Sequence, residues 1–556
     1  MSQYDLKSLK LPKLTGLALK LFAGAAESPL LQGALLPSLL ENGGIPFLRR
    51  LKLAEPPTYY PKVAPRKEYR REEFKPLKEG KPAGMPFNTL MDYARAYRAG
   101  TTTPLEVAEK ILSAIQASQT DDPDLKLFIA VYREDVLAQA KASTERFAKK
   151  KPLSLLDGVP MAVKDEIDMH PYPTTVGTRF LGNKPAVKDS TVAGRLRAAG
   201  ALLVGKTNMH EIGINPNGYN DAFGAIRNPY DPACDPGGSS SGSAAAVSAG
   251  IVPAAIGADG GGSIRIPASL CGIVGLKATF GRISENGAAP LCWSVAHLGP
   301  LTSSVEDTAL VYSVIAGEDA AEPATLGQPP VTVLDWDKAD LKGLTAGVYS
   351  EWFDHADPEV VHINREMIEK LKARGLTVKE ITIPELNATR VAHAVTILAE
   401  MAACMREYAR DRKKQGAAVR LTLVIGEVLT GMDYLQAQRM RTRAMVNFDK
   451  VFSEVDLILT PATARAAQPV PAGGYPAGWS DLSLDTEMMR YIIPGNLLGL
   501  PGISFPTGYD SRGMPVGMQA IGRHWEEHIL LRVAFNAEKE MQRQLPRRYY
   551  GKQVAP

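Results

Sequence analysis

Leu156-Asp157-Gly158-Val159-Pro160-Met161-Ala162-Val163-Lys164-Asp165, then Thr191-Val192-Ala193-Gly194-Arg195-Leu196-Arg197-Ala198-Ala199, then Ala201-Leu202-Leu203-Val204, is the stretch that decides the fold. Val159–Val163 and Ala201–Val204 read as short buried strands. Thr191–Ala199 between them reads as a helix. Apolar strands alternating with helices form a sheet covered on both faces, so the fold class is α/β.

Outward from this stretch the same alternation continues. Further strands are predicted at Thr345–Val348, Thr377–Ile381, Leu457–Thr460, Gly502–Phe505 and Gly517–Ile521. Thr103-Pro104-Leu105-Glu106 is a helix start, with an N-cap Thr, Pro at the first helical position and Glu closing a capping box. That helix should run to about Ala117. Ser241–Ala249 is small and Ala-rich, suited to a tightly buried helix. Residues 391–452 read as helical and carry Arg439, Arg441 and Arg443 on alternating positions. The expected architecture is a large twisted mixed sheet of about ten strands, with helices on both faces and helices at the N-terminus packed over it. Residues 1–85 read as a helical and extended N-terminal extension, and 86–556 as the catalytic domain.

Size and composition exclude several classes. The 556 residues are 45% hydrophobic and 22% charged, as in an ordinary well-cored globular protein. A net charge of +4 without a long basic run argues against nucleic-acid binding. Cys234, Cys271, Cys292 and Cys404 lie far apart and form no C-x-x-C pair, which fits reduced thiols in a cytoplasmic protein. Residues 14–40 are rich in Leu and Ala behind Lys7, Lys10 and Lys13, but Lys20, Glu27, Pro29 and Pro37 break the run. It is too interrupted for a membrane span or a signal peptide. Two short amphipathic helices are expected there, covering the domain in preference to lying on a membrane surface. The segment from Glu55-Pro56-Pro57 to Pro76 reads as an extended surface arm.

Chemistry concentrates in Gly237-Gly238-Ser239-Ser240-Ser241-Gly242-Ser243 and Asp259-Gly260-Gly261-Gly262-Ser263-Ile264-Arg265. Ser239 and Ser263 each follow glycines. A hydroxyl beside free backbone N–H groups supplies a nucleophile and an oxyanion hole in one loop, as acyl transfer requires. Three other patterns are set aside. Gly200–Thr207 fits the phosphate-loop formula, but its variable positions are the strand itself. Gly238–Gly242 fits G-x-S-x-G with Ser240 as nucleophile, but a loop precedes it where an apolar strand is needed. This Ser-His-Asp esterase reading stays as an alternative. His524 and His528, at i and i+4, read as exposed helix residues without a third metal ligand.

Ser263 needs a base. No His is near it in sequence, whereas Lys164 ends an apolar strand that would carry its amine inward. An ordinary lysine, pKa ~10.4, is neutral about once in 2,500 at pH 7, so burial must lower it for this role. Ser239 is the natural proton relay between the two.

Leu156-Asp157-Gly158-Val159-Pro160 with Val163-Lys164-Asp165, Gly205-Lys206-Thr207-Asn208-Met209-His210-Glu211, both glycine-serine segments, Gly272–Lys277, Leu298–Leu301 and Asn496–Pro501 together resemble the amidase signature family. The likeness spans residues 90 to 525. It implies the amidase signature fold, Ser263 as nucleophile, Ser239 as bridging serine after a cis peptide, and Lys164 as general base. The N–H groups of Gly260, Gly261, Gly262 and Ser263 would form the oxyanion hole. Asp259 and Arg265 would brace the loop as an ion pair, with Ser240 beside them in support. No metal or cofactor enters this chemistry.

Within the family the likeness is to plant-type fatty acid amide hydrolases. It is carried by Leu11–Phe22, by Asp92-Tyr93-Ala94-Arg95-Ala96-Tyr97-Arg98 and by the triple glycine before Ser263. The expected substrate is a small-molecule amide with a long acyl chain, such as an N-acylethanolamine. Small aryl or alkyl amides, esters or carbamates are the alternative with the same residues. An ammonia-releasing component of an amidotransferase is another. The reading leaves open peripheral membrane contact and a homodimer.

Overall fold

The apolar runs become neighbours in one sheet. The computed structural model describes residues 4–9, 11–78 and 80–556, so Lys10 of the basic lead lies outside the described residues. Its strands are β1 (Lys13–Thr15), β2 (Phe128–Ala130), β3 (Pro160–Lys164), β4 (Leu202–Thr207), β5 (Ala254–Ala258), β6 (Val274–Lys277), β7 (Leu298–Thr302), β8 (Thr345–Val348), β9 (Thr377–Glu380), β10 (Leu457–Pro461), β11 (Trp479–Asp481), β12 (Gly502–Tyr509) and β13 (Pro515–Gly522). Among the described residues, eleven of these form one mixed sheet in the order β2-β4-β3-β5-β7-β6-β12-β13-β10-β8-β9. Strands β1 and β11 pair separately as an antiparallel ribbon. Strand β3 lies parallel to β4 and to β5, which sets the end of β3 beside the end of β5.

The sheet has one strand more than the sequence suggests. Strands β2, β5, β6 and β7 carry weak signals. Ala254–Ala258 is mostly small residues, and β7 contains Gly299 and Pro300. Burial supplies what propensity lacks, since every residue of β5 and β7 is buried.

Helix ends follow their caps. Thr103 and Glu106 complete the capping box, at 3.2 Å and 2.9 Å, and the helix Pro104–Thr120 continues past Ala117. The helical region 391–452 resolves into Leu386–Met405, a 3₁₀ segment Arg406–Lys414, Ala417–Glu427 and Gly431–Phe452. Thr430, capping through Asp433, starts the last of these. The helix Ser241–Ser248 is buried at every position. A Cβ at Gly242 would lie 2.4 Å from the Asn208 carbonyl oxygen, so only glycine lets this helix settle behind the site.

The N-terminal helices Gly16–Glu27 and Pro29–Gly43 pack inward. Leu19, Ala23, Ala26, Leu36 and Leu39 cluster with Ala418, Leu421 and Val424 of Ala417–Glu427. Glu27 receives Arg412 and Arg420, which hold its carboxyl below the usual carboxylate range against the opposing effect of burial. A third short helix, Ile45–Arg50, follows. The outward face keeps Leu17 and Leu30 72% and 92% exposed, with Leu21 and Leu31 beside them. Among the described residues no helix is long and apolar enough to cross a membrane.

The arginines flagged in the sequence grip the extended arm. Arg439 and Arg443, one helical turn apart, bind the Glu55 carbonyl at 2.9 Å and the Glu55 carboxylate at 2.8 Å. Arg441 points the other way, is fully buried, and reaches the Tyr59 carbonyl at 2.6 Å and Ser294 Oγ at 2.9 Å.

Candidate active site

Strand alternation separates neighbours in Lys164-Asp165. Asp165 turns to Lys206, 3.6 Å away, and accepts from Gly177 N–H at 3.0 Å. This buried pair and the continuous strand Leu202–Thr207 leave no phosphate cradle at Gly200–Thr207. Lys164 turns the opposite way, into a cavity, and is 1% exposed. Its Nζ lies 2.8 Å from Ser239 Oγ, 3.3 Å from the Ala258 carbonyl oxygen and 3.3 Å from Glu166 Oε1. Burial lowers the Lys164 pKa and outweighs the opposing pull of Glu166 and Asp259. Here Nζ donates to Ser239 Oγ and to the Ala258 carbonyl and pairs with Glu166; were the amine neutral, donation to Ala258 and Glu166 would leave its lone pair for the Ser239 hydroxyl proton.

Ser239 follows a cis peptide bond from Gly238. Lys164, Ser239, Gly260, Gly261 and Ser263 line one narrow cavity of about 50 Å³. Ser263, 8% exposed, opens onto it beside the backbone of Gly260 and Gly261. Among the described residues the N–H groups of Gly260, Gly261 and Ser263 have no acceptor. Gly262 differs from the expectation. Its N–H donates to Asp259 Oδ1 at 2.6 Å, and Gly262 is not part of the cavity wall. A carboxylate so close claims that donor, which therefore shapes the loop and does not face the cavity.

Asp259 is the loop's anchor. Besides Gly262 it accepts from Ile264 N–H at 3.2 Å, Arg265 Nε at 3.0 Å and Asn496 Nδ2 at 2.9 Å. Burial alone would raise its pKa, but Arg265, Lys277 and Asn496 hold the carboxyl well below the usual range. Arg265 also reaches Gln519 Oε1 at 2.6 Å and Asn496 Oδ1 at 2.5 Å, tying the loop to β13 and to the segment before β12.

Ser240 points away from the cavity. Its Oγ donates to the Ala258 carbonyl at 3.1 Å and accepts Ala258 N–H at 3.3 Å, and it is fully buried. That hydroxyl bonds the loop to β5 and, among the described residues, has no histidine partner. His524 and His528 are partly buried, not exposed. His524 precedes the helix Glu527–Lys539, and its Nε2 lies 2.9 Å from the Leu498 carbonyl oxygen, while His528 rides on the helix.

Glu166 and Glu285 are not among the expected site residues, and Cys292 and Asn496, named above only as a thiol and within a motif, also belong to the site. Glu166 reaches Lys164 because the chain turns just past β3, with Ile167 N–H closing onto the Lys164 carbonyl at 3.1 Å, a turn the sequence alone does not announce. Glu285 lines the cavity, and burial together with Glu322 and Glu166 pushes its carboxyl well above the usual range. The Cys292 thiol is also in the wall, raised by burial. Asn496 lies 237 residues from Asp259, beyond any local signal.

A second cavity, of about 180 Å³, adjoins the first. Leu11, Leu39, Leu40 and Ile45 from the N-terminal segment line it, and it shares Ile397, Met401 and Met489 with the first. A buried amine, a hydroxyl against it, a second hydroxyl and, among the described residues, N–H groups without acceptors are the components that acyl transfer needs. An apolar chamber next door can hold an apolar substituent of the acyl group.

The pattern of the family described as Amidase matches residues 106–531. A fatty acid amide hydrolase of Medicago truncatula is 38% identical over 97% of this chain and 94% of its own length. One subunit of the glutamyl-tRNA(Gln) amidotransferase of Chloroflexus aggregans is 36% identical over 79% of this chain and 93% of its own. The solved structure of a native peptide amidase from Stenotrophomonas maltophilia superposes with a TM-score of 0.73 at 27% identity, covering 83% of this chain and 98% of that one.

Proposed function

Since the chain belongs to the amidase signature family and is a hydrolase acting on amide bonds, we propose that Lys164, Ser239 and Ser263 carry out that hydrolysis through an acyl-enzyme. The observation that carries this reading is the buried Lys164 amine 2.8 Å from Ser239 Oγ in the cavity that Ser263 also lines. The neutral amine takes the Ser239 proton while Ser239 takes that of Ser263. Ser263 Oγ attacks the amide carbon, and the N–H groups of Gly260, Gly261 and Ser263 receive the oxyanion. The C–N bond then breaks as the relay returns the proton to the leaving nitrogen. Water enters, gives its proton to the same relay, and releases the carboxylic acid with Ser263 restored.

The acyl group in this proposal is a fatty chain. The apolar chamber built by Leu11, Leu39, Leu40 and Ile45 supports it, as does 38% identity to a fatty acid amide hydrolase. The amine is small and polar, as in an N-acylethanolamine. Residues 1–85 act as an extension that walls this chamber over a catalytic domain of 86–556. The exposed Leu17, Leu21, Leu30 and Leu31 favour peripheral contact with lipid, from which such substrates come. The engaged Ser240 hydroxyl speaks against the esterase alternative.

Fluorophosphonate labelling tests the chemistry. Ser263→Ala is expected to abolish it and Ser240→Ala to keep it; the reverse pattern would sink the mechanism. Hydrolysis of acyl amides from two to eighteen carbons tests the substrate. Rates rising with length are expected, and an optimum at short or aromatic acyl groups would reject the lipid reading. Glutamine-dependent amide formation with a partner chain would favour the amidotransferase reading instead.

A further inference from the structure

We propose that His393 is a positioning residue for the oxyanion site, clamping the Gly260 carbonyl and thereby aiming the Gly261 N–H at the reacting oxygen. This rests on the serine amidase mechanism above.

His393 lies on the helix Leu386–Met405, is 1% exposed, and sets Nε2 2.9 Å from the Gly260 carbonyl oxygen. A carbonyl only accepts, so Nε2 carries the proton. The Gly260–Gly261 peptide is not among the cis bonds. In a trans peptide C=O and N–H point in opposite directions, so holding one end orients the other. Gly261 N–H has no acceptor among the described residues, and Gly261 lines the cavity with Ser263. A hydrogen bond to the carbonyl also polarises the peptide and makes its N–H a stronger donor.

Two consecutive glycines leave this peptide free to rotate unless something stops it. The neighbouring side chains confine it closely. A Cβ on Gly261 would lie 2.8 Å from Met489 Cε and 3.1 Å from His393 Cε1, and one on Gly260 would lie 2.6 Å from Cys292 Sγ. The Asp259 carboxylate holds the N–H groups of Gly262 and Ile264 and leaves the Gly260–Gly261 peptide alone. Gly260 O therefore has His393 as its clamp. Burial, aided by Arg441 and Arg265 and opposed by the Gly260 bond and Asp259, pushes the imidazole down to about 4. The clamp is a neutral donor at working pH. His393 also lines the apolar chamber, so an acyl chain seated there lies against the residue that sets the oxyanion donor.

The test compares wild type, His393→Phe and His393→Gln on a fatty acyl amide. Two inhibitors of matched chain length are added. A trifluoromethyl ketone forms a tetrahedral oxyanion on the serine, and the corresponding carbinol cannot. In His393→Phe, kcat and ketone affinity are each expected to fall about tenfold to a hundredfold, short of the 10²–10³ seen when a donor is removed outright. KM and carbinol affinity should stay within about threefold, because only the transition-state contact is lost. His393→Gln, which keeps a side-chain N–H, should recover part of both losses. Equal losses for ketone and carbinol, no loss for either, or a Gln variant no better than Phe would overturn the assignment. Full activity of Ser263→Ala would instead bring down the underlying mechanism.

Discussion

Lys164→Met removes one amine and keeps the stem's volume, which makes it the sharpest test of the relay. In the proposed mechanism the amine serves twice in amide cleavage, drawing the proton from Ser263 through Ser239 and returning it to the leaving nitrogen. General acid–base assistance contributes ~10²–10⁴ per use. An alkoxide leaves without protonation, so an ester needs the amine once. For an amide and an ester of the same acid, the amide rate should fall about a hundredfold more than the ester rate, and at least ~10⁴ overall. The substitution also strips a donor from Glu166, which Lys164 meets at 3.3 Å, while the Ala258 carbonyl keeps the Ser240 hydroxyl. An orphaned acceptor costs about 1–3 kcal/mol, offset in part by no longer burying an amine. Thermal unfolding of the variant must therefore accompany the rates. The assay is kcat/KM for both substrates across pH. Because burial lowers the Lys164 pKa, wild-type amide cleavage should rise tenfold per pH unit on its acidic side and level off below the ordinary lysine value. The variant should lose that limb. A folded Lys164→Met protein whose amide and ester rates fall by the same factor, or which keeps the limb, would refute the reasoning.

Two more expectations follow from the chamber and from a buried acid. Met489 lines both cavities, so Met489→Trp should obstruct the passage between them. At about 0.8 kcal/mol per methylene, or roughly fourfold in kcat/KM, a chain lengthened by four carbons gains ~200-fold when the chamber is open. That slope should flatten in the variant, measured on amides of four to twelve carbons, while the shortest substrate keeps its rate; an unchanged slope would count against the chamber. Burial pushes Glu211 up to about 7, against the hydrogen bond it accepts from Gly416 N–H at 2.9 Å. Its folded value lies above the unfolded ~4.3, so its contribution to stability is complete below that pH and is lost as pH rises through about 7. Urea unfolding of wild type against Glu211→Gln between pH 4.5 and 8 should show their difference shifting over this window, and a constant difference would show that Glu211 is not the titrating group.

Much of the fold was legible because its signals are local. Strand β8 matches its expected limits, β3 lies one residue along from its own, and β4 starts one residue and ends three residues later than expected. Thr103 and Glu106 marked a helix start that the hydrogen bonds bear out. Strands β5 and β7 were not legible, because small residues, a glycine and a proline become sheet only under the burial of a finished core. The histidines at 524 and 528 misled for a related reason, since spacing does not reveal that a chain turns into a helix between them.

In the candidate site the same division holds. Sequence by itself determined which residue types stand next to which: serines after glycines, a lysine at the end of an apolar strand, an aspartate four residues before Ser263. Tertiary structure alone decided which groups are free to react. Ser239 meets Lys164 across 75 residues, Asn496 meets Asp259 across 237, and His393 meets Gly260 across 133. Nearer contacts made in the folded loop occupy the Gly262 N–H, held by Asp259, and the Ser240 hydroxyl, held by Ala258, whereas among the described residues Gly261 N–H has no acceptor. The reason is physical. A donor's availability and an amine's charge depend on what surrounds them once water has been excluded, and the chain's neighbours in sequence are only a few of those surroundings.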